Sequence, residues 1–221
     1  MLVILTAGIA PGLALLSYFY LKDQYDSEPV SAVFKTFLYG VSLVLPIMFL
    51  QYVMQTENVF TSQFGEAFLK ASLLEEFMKW FFLLYIIYPF AVFDEPYDGI
   101  VYGVSVSLGF ATMENILYLI ANGVEHALGR AILPVSSHAL FGVIMGYYLG
   151  KAKFSNTHKK LFLFLSLGIS VFLHGLYDFI LLTDRFWIYL ILPFMTFLWW
   201  LALKKVKSAR RLSEFHDSTS Y

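Results

Sequence analysis

Apolar residues fill this chain in long runs, and polar residues gather in short stretches between them. A helix of about 20 apolar residues crosses the hydrocarbon core of a bilayer. Seven runs reach that length: residues 1–21, 36–54, 71–93, 99–123, 131–150, 161–182 and 186–203. The connections 22–29, 55–70, 94–98, 124–130, 151–160 and 183–185 are short and polar. The pattern predicts an all-α polytopic membrane protein with about seven transmembrane helices. Segment 55–70 is long enough for a short interfacial helix, or for an eighth crossing if it dips into the bilayer. The five-residue link 94–98 also allows a re-entrant element in place of a full crossing. No soluble domain, low-complexity tract or internal repeat is visible. The expected organisation is one transmembrane domain over 1–203 that carries the active site, and a short tail over 204–221.

Basic residues near span ends accumulate on the cytoplasmic side. With the N-terminus outside, Lys22, Lys35, Lys151, Lys153, Lys159, Lys160, Lys204, Lys205, Lys207, Arg210 and Arg211 fall inside, against Lys70, Arg130 and Arg185 outside. The imbalance predicts an outside N-terminus and a cytoplasmic tail whose basic half lies near anionic headgroups. The first run lacks a basic leading region and a small-residue cleavage site, and is expected to be a retained membrane helix.

Composition narrows the field. The 221 residues are 59% hydrophobic and 14% charged, with mean hydropathy +0.68. Soluble domains carry about 45–50% apolar and about 25% charged residues, so membrane lipid is the expected surround. A net charge of −1 gives no case for nucleic acid as a partner. The absence of cysteine removes disulfides, thiolate metal sites and a cysteine nucleophile.

An ionised side chain at the bilayer centre costs roughly 2.5–3.5 kcal/mol and usually faces protein or a wet cavity. Glu75, Glu76 and Lys79 lie in the third run, Glu114 and Asn115 in the fourth, His138 in the fifth, and His174 and Asp178 in the sixth. Counting along antiparallel helices places Glu75, Glu114, His138 and His174 at one level, roughly 7–12 Å beneath the outer interface. His174 and Asp178 are i,i+4 and share a face, so the carboxylate can orient the imidazole. Phe110 shares a face with Glu114 and is expected to wall the cavity. Glu75 and Glu76 diverge by about 100°. One is expected to aim at the common centre while the other pairs with Lys79 or holds a neighbouring helix. Gly142, Gly146 and Gly150 continue the line of His138, and Gly99 and Gly103 repeat the spacing on the fourth run. Such spacing lets helix backbones approach closely in lipid. Asp98 reads as a helix cap, and Asp94 and Glu95 as solvated loop charges.

Carboxylates and imidazoles around one cavity suit hydrolysis by activated water: a glutamate accepts the proton and a histidine or amide donor stabilises the oxyanion. Two histidines with one carboxylate also form a catalytic zinc set, for which Glu114, His138 and His174 are the candidates. A divalent metal, zinc if any, is thus one route, and metal-free glutamate chemistry the other. No His-Glu-x-x-His or Gly-x-Ser-x-Gly run is present.

The ordered set Glu75-Glu76-Phe77-Met78-Lys79, Phe110-Ala111-Thr112-Met113-Glu114-Asn115, His138 and His174-Gly175-Leu176-Tyr177-Asp178 resembles the PrsW family of bacterial intramembrane proteases. That family is distantly similar to the CAAX prenyl endopeptidases and bacteriocin-immunity membrane proteins. The resemblance runs from the Asp-Ser-Glu-Pro segment at residue 26 to Asp178. It implies a multi-pass protein of the bacterial cell membrane that makes the site-1 cut in the single-span anti-sigma factor RsiW, near its extracytoplasmic side. Release of an extracytoplasmic-function sigma factor would follow, in response to antimicrobial peptides and envelope stress. Carried over by motif, the catalytic residues are Glu75 as general base, Glu76 as its partner, Glu114, His174 and, one turn on, Asp178. Glu114 stands where CAAX-type relatives carry a histidine, so His138 is expected to supply that imidazole. The competing classes are a transporter with a proton relay, for which no two-fold repeat is seen, and a non-catalytic scaffold, which leaves the ionisable groups unexplained.

Overall fold

Helix α4 (Asp98–Asn122) is the axis of the bundle in a computed structural model that describes residues 1–25, 27–90, 92–155, 157–183 and 185–219. Asp26, at the head of the Asp-Ser-Glu-Pro run, and the last two residues of the tail lie outside the described residues. Helices α1 (Leu2–Tyr20) and α2 (Val30–Thr56) pack on α4 from one side, and α6 (Ser136–Lys153) packs on it from the other. Helix α7 (Lys159–Leu181) lies against α6, and α8 (Trp187–Thr219) closes the bundle over α6 and α7. A short helix, α5 (Ala127–Arg130), leads into α6 through a π-helical turn, Ala131–Val135.

Lipid tails are as apolar as leucine, so helices in a membrane associate through close packing and not through exclusion of water. Glycine supplies that closeness here. A Cβ on Gly103 would stand 2.5 Å from the Gly142 carbonyl oxygen, and one on Gly142 would stand 2.6 Å from that of Gly103. Gly99, Gly146 and Gly150 meet backbone in the same way, as do Gly40 against Val106 and Gly109 against Phe37. The glycine stripe expected to lead to His138 therefore faces packed protein. Burial follows: 78% of the apolar window in Val124–Lys153 is inside the protein, against 17% in Leu2–Tyr20, whose outer face is left for lipid.

Among the described residues, six helices are long and apolar enough to cross a membrane. The run expected over 71–93 is not among them. It is helical from Gly65 to Ile87, as a π-helical segment Gly65–Leu73, helix α3 (Leu74–Phe82) and a second π-helical segment Leu83–Ile87. Its charges, Glu66, Lys70, Glu75, Glu76 and Lys79, keep it from qualifying on apolarity. The early start has a physical cause. Glu66 and Lys70 are one turn apart and pair at 2.5 Å, so charges that broke the hydropathy pattern sit on a helix. The early end coincides with Pro89, whose ring disfavours helix in the preceding residue. Only 57–64 is left to connect α2 to this element, so 55–70 forms neither a separate interfacial helix nor a crossing of its own.

Two loop assignments also change. Glu95 is buried, not solvated. The Asp98 side chain makes no capping bond to α4; its Oδ2 instead accepts from the backbone N–H groups of Asp94 and Glu95 at 2.8 and 2.7 Å, folding the preceding connection onto the helix start. Residue 203 lies inside α8, which runs on with Val206, Ala209 and Ser213 buried against the bundle. Ser213 Oγ accepts from the Tyr97 backbone N–H at 3.0 Å.

Candidate active site

The acidic pair stands on α3, where successive side chains point about 100° apart. Glu76 turns inward and is fully buried; its Oε1 accepts from Lys79 Nζ at 2.8 Å and lies 2.9 Å from His174 Nδ1. Glu75 turns toward the cavity; its Oε1 accepts from Gln51 Nε2 at 3.2 Å, and its Oε2 is 3.5 Å from Lys79 Nζ. The side chains are long enough that both carboxylates still reach one centre, where a single aimed carboxylate was expected. The π-helical segments Gly65–Leu73 and Leu83–Ile87 bracket α3, and Ala131–Val135 ends three residues before His138. π-helical turns concentrate at functional sites, because the wider turn re-aims the side chains that follow it.

Lys79 is the hub. Its ammonium is fully buried and sits 4.2 Å over the Phe110 ring, so Phe110 walls the cluster as the spacing suggested. It also lies 3.2 Å from His138 Nδ1. The other ring nitrogen of His138, Nε2, faces Glu114 Oε2 at 3.5 Å. His174 is held between two carboxylates: Glu76 at Nδ1, and Asp178 Oδ2 3.3 Å from Nε2. Its ring stacks on Phe141 with centroids 4.9 Å apart and stands perpendicular to the His138 ring at 5.1 Å. Every degree of freedom of the His174 imidazole is therefore constrained.

These groups line a cavity of about 530 Å³ with Glu75, Glu114, Arg130, His138, His174 and Asp178 in its wall. The lining extends through Gln55, Glu66, Lys70 and Leu182, so the cavity opens at the end of the bundle where α2, α4 and α7 terminate.

A metal ion fits this donor set. Glu75, Glu76, His138 and His174 each offer one nitrogen or oxygen, all within 4.8 Å of one another, and all four residues are buried. Among the described residues the Oε2 atom of Glu76 has no hydrogen-bond partner, an orphan acceptor that a cation would satisfy. Imidazole nitrogens mixed with carboxylate oxygens are ligands that zinc takes.

Of the residues expected from the sequence, the structure thus brings Glu75, Glu76, His138 and His174 into one group and sets Asp178 behind His174. Glu114 lies outside that group. It is joined to it through His138 and is contacted by Arg130 Nη2 at 3.5 Å. Sequence reading missed Gln51 and Arg130. Arg130 was counted among the outer loop charges, yet its guanidinium lies 4.1 Å over the Tyr118 ring and its Nε donates to Asn115 Oδ1 at 2.9 Å. Asn115 in turn donates to the Gly8 carbonyl at 3.1 Å, tying α1 to the cavity wall. The signal in the sequence for Arg130 is the adjacent polar pair Glu114-Asn115, which a nearby cation would satisfy.

Residues 28–203 match the family model described as PrsW family intramembrane metalloprotease. The chain is 62% identical over 214 residues to Protease PrsW of Bacillus subtilis, covering 96% of this chain and 98% of that one. It is 59% identical to Protease PrsW of Geobacillus kaustophilus, over 94% of this chain and 92% of the relative. With Protease PrsW of Clostridioides difficile it shares 34% identity over 90% and 88% of the two chains. No solved structure matches it.

Proposed function

Because the chain belongs to the PrsW family of intramembrane metalloproteases, we propose that it cuts a single-span anti-sigma factor near its extracytoplasmic side, the site-1 cut that leads to release of a sigma factor under envelope stress. It is a peptidase of a bacterial multi-pass membrane protein family. One observation carries the finer reading: the buried Glu75, Glu76, His138 and His174 group faces a cavity that opens at one end of the bundle, not at its middle. With the N-terminus outside, that end is extracytoplasmic, and a substrate strand unwinding from its helix just below the surface meets the cluster.

In the proposed chemistry a water oxygen attacks the scissile carbonyl carbon. Glu75, which faces the cavity, accepts the water proton and returns it to the leaving amide nitrogen as the C–N bond breaks. The tetrahedral oxyanion forms in a wall that holds the Arg130 guanidinium and the His138 ring. Glu76 and Asp178 hold the His174 imidazole in one orientation. Glu76, His138 and His174 would hold the metal, with Glu75 beside them as the base; when bound, the ion would polarise the carbonyl and make water more acidic. Zinc is the proposed ion.

The test is reconstitution. Purified protein in liposomes, given a single-span peptide with an anti-sigma factor juxtamembrane sequence, should yield one cut near the outer boundary. The Glu75→Ala, Glu76→Ala and His174→Ala variants should not cut. Cleavage by all three at the wild-type rate would remove the proposal.

A further inference from the structure

One buried hydroxyl in the wall of the catalytic cavity takes no part in holding the cluster together. Tyr177 stands on α7 three residues after His174, on the same helix face, and lines the cavity with Glu75, Glu114, Arg130 and His138. It is 4% exposed. Its ring meets Phe141 edge-on with centroids 6.2 Å apart, and Phe141 is also the ring on which His174 stacks. One aromatic wedge therefore braces both side chains. The Tyr177 hydroxyl lies against Ser137 of α6, and the charges of Asp178, Glu114 and Arg130 reach it.

A peptide carbonyl that turns into an oxyanion needs a donor whose proton is not already taken. Most donors around the cavity are committed. Gln51 donates to Glu75 at 3.2 Å, and Lys70 serves Glu66 and Gln55. Arg130 Nε donates to Asn115 at 2.9 Å while its Nη2 faces Glu114 at 3.5 Å. His138 lies between Lys79 and Glu114, and His174 between Glu76 and Asp178. Tyr177 differs. Among the described residues its hydroxyl makes no hydrogen bond of normal geometry, and its contact with Ser137 is a loose one. Ser137 Oγ donates its own proton to the Pro134 carbonyl at 2.9 Å, so toward Tyr177 it can only accept. A negatively charged oxygen outcompetes a neutral hydroxyl for that proton, because charge-assisted hydrogen bonds are roughly twice as strong as neutral ones.

We propose that Tyr177 is a further catalytic residue, whose hydroxyl hydrogen-bonds the scissile carbonyl oxygen as it becomes the tetrahedral oxyanion. The inference rests on the proteolytic reading and adds a residue to it. As the water oxygen bonds to the carbonyl carbon, the C=O π pair moves onto the carbonyl oxygen. The Tyr177 O–H turns from Ser137 to that oxygen, and its proton stays on Tyr177 throughout. The water proton still passes to Glu75 and on to the leaving nitrogen; the carbonyl re-forms as the C–N bond breaks, and Tyr177 returns to Ser137. Because Phe141 holds the ring, the hydroxyl need only rotate about its C–O bond.

Tyr177→Phe removes one oxygen and keeps the ring against Phe141. With full-length protein in liposomes and the single-span peptide, it should lower kcat by about 10²–10³-fold, the usual loss of one oxyanion donor. KM, melting temperature and retained zinc should stay near the wild-type values. A peptide whose scissile carbonyl is replaced by thiocarbonyl, a poorer acceptor, should slow the wild type by a larger factor than it slows Tyr177→Phe, which has already lost the bond that sulfur weakens. Ser137→Ala should keep most of the wild-type rate. The proposal is overturned if Tyr177→Phe cuts as fast as wild type, or if the thiocarbonyl slows both proteins by the same factor. It is equally overturned if Ser137→Ala loses as much rate as Tyr177→Phe, which would make Tyr177 a support for Ser137, or if the variant's lost rate is matched by lost zinc or a lowered melting temperature. Failure of the wild type to cut any peptide would instead remove the proteolytic reading, and this inference with it.

Discussion

The Nδ1 of His174 lies 2.9 Å from Oε1 of Glu76, the same oxygen that Lys79 approaches at 2.8 Å. One carboxylate atom therefore serves a helix it does not belong to and the helix it stands on. Glu75 has looser ties, at 3.2 Å to Gln51 and 3.5 Å to Lys79, and it faces the cavity. The two glutamates should consequently separate on mutation. Glu75→Gln is expected to lower cleavage by about 10²–10⁴-fold, the usual contribution of a positioned general base, and to leave the melting temperature nearly unchanged. Glu76→Gln should lower both. Peptide cleavage rates and thermal unfolding of the same preparations check this, and equal melting shifts for the two variants would contradict it.

Among the described residues of the cluster, Asp178 touches His174 alone, at 3.3 Å across one helical turn. It is a positioning residue. Removing a carboxylate that orients a ligating or catalytic histidine costs on the order of 10–100-fold. Asp178→Asn is expected to fall in that range, and Asp178→Glu to recover part of the loss. Binding of cobalt, followed by its visible absorption, should weaken in parallel. A purely structural Asp178 would leave the spectrum of the bound ion unaltered.

Lys79 is fully buried between Glu76, Glu75 and His138. Deleting one member of a buried ion pair strands the other, at about 3–5 kcal/mol, whereas replacing both by neutral groups is often near neutral. Lys79→Met should therefore destabilise the protein strongly, and adding Glu76→Gln should restore much of the loss. Thermal unfolding of the two single variants and the double variant measures the coupling. If the double variant is as unstable as the sum of the single ones, the pair is not what holds Lys79 in place.

Much of this site could be read from the chain because depth in a membrane is a counting problem. Glu75, Glu114, His138 and His174 fall at one level once the helix rise is applied to antiparallel spans, and the structure gathers three of them directly and Glu114 through His138. What could not be counted is rotation about the helix axis. The π-helical segments on both sides of α3 reset its phase, and that phase lets both carboxylates and Lys79 reach the same centre. Arg130 and Glu95 escaped for a different reason. Hydropathy assigns a charge in a short connection to water, and only tertiary packing shows that Tyr118 lies under the one and that the other is buried.

Glycine packing gives a prediction independent of the chemistry. A Cβ on Gly103 would stand 2.5 Å from the Gly142 carbonyl oxygen, and one on Gly146 would meet the Gly99 carbonyl more closely still. Gly129 has nothing within 4 Å of that position. Gly103→Val should force α4 and α6 apart and lower the melting temperature sharply, with His138 carried out of register. Gly129→Ala, in the exposed helix α5, should be neutral or stabilising by up to about 1 kcal/mol, the helix propensity difference. Comparable melting temperatures for the two variants would mean that α4 and α6 do not meet through their glycines.

Metal removal tests the centre itself. The group of Glu75, Glu76, His138 and His174 joins two carboxylates to two imidazoles, and its one lysine, Lys79, already balances a single negative charge. A divalent ion would compensate the remaining acid and satisfy the partnerless Oε2 of Glu76. Exhaustive dialysis against a strong chelator is accordingly expected to abolish cleavage, and stoichiometric zinc to restore it. His138→Ala and His174→Ala should each reduce the zinc retained by the purified protein, as read by elemental analysis. Calcium should not substitute for zinc, since imidazole nitrogen is a poor ligand for a hard cation. Undiminished cleavage by protein carrying less than a few hundredths of an equivalent of any transition metal would assign the chemistry to the glutamates alone.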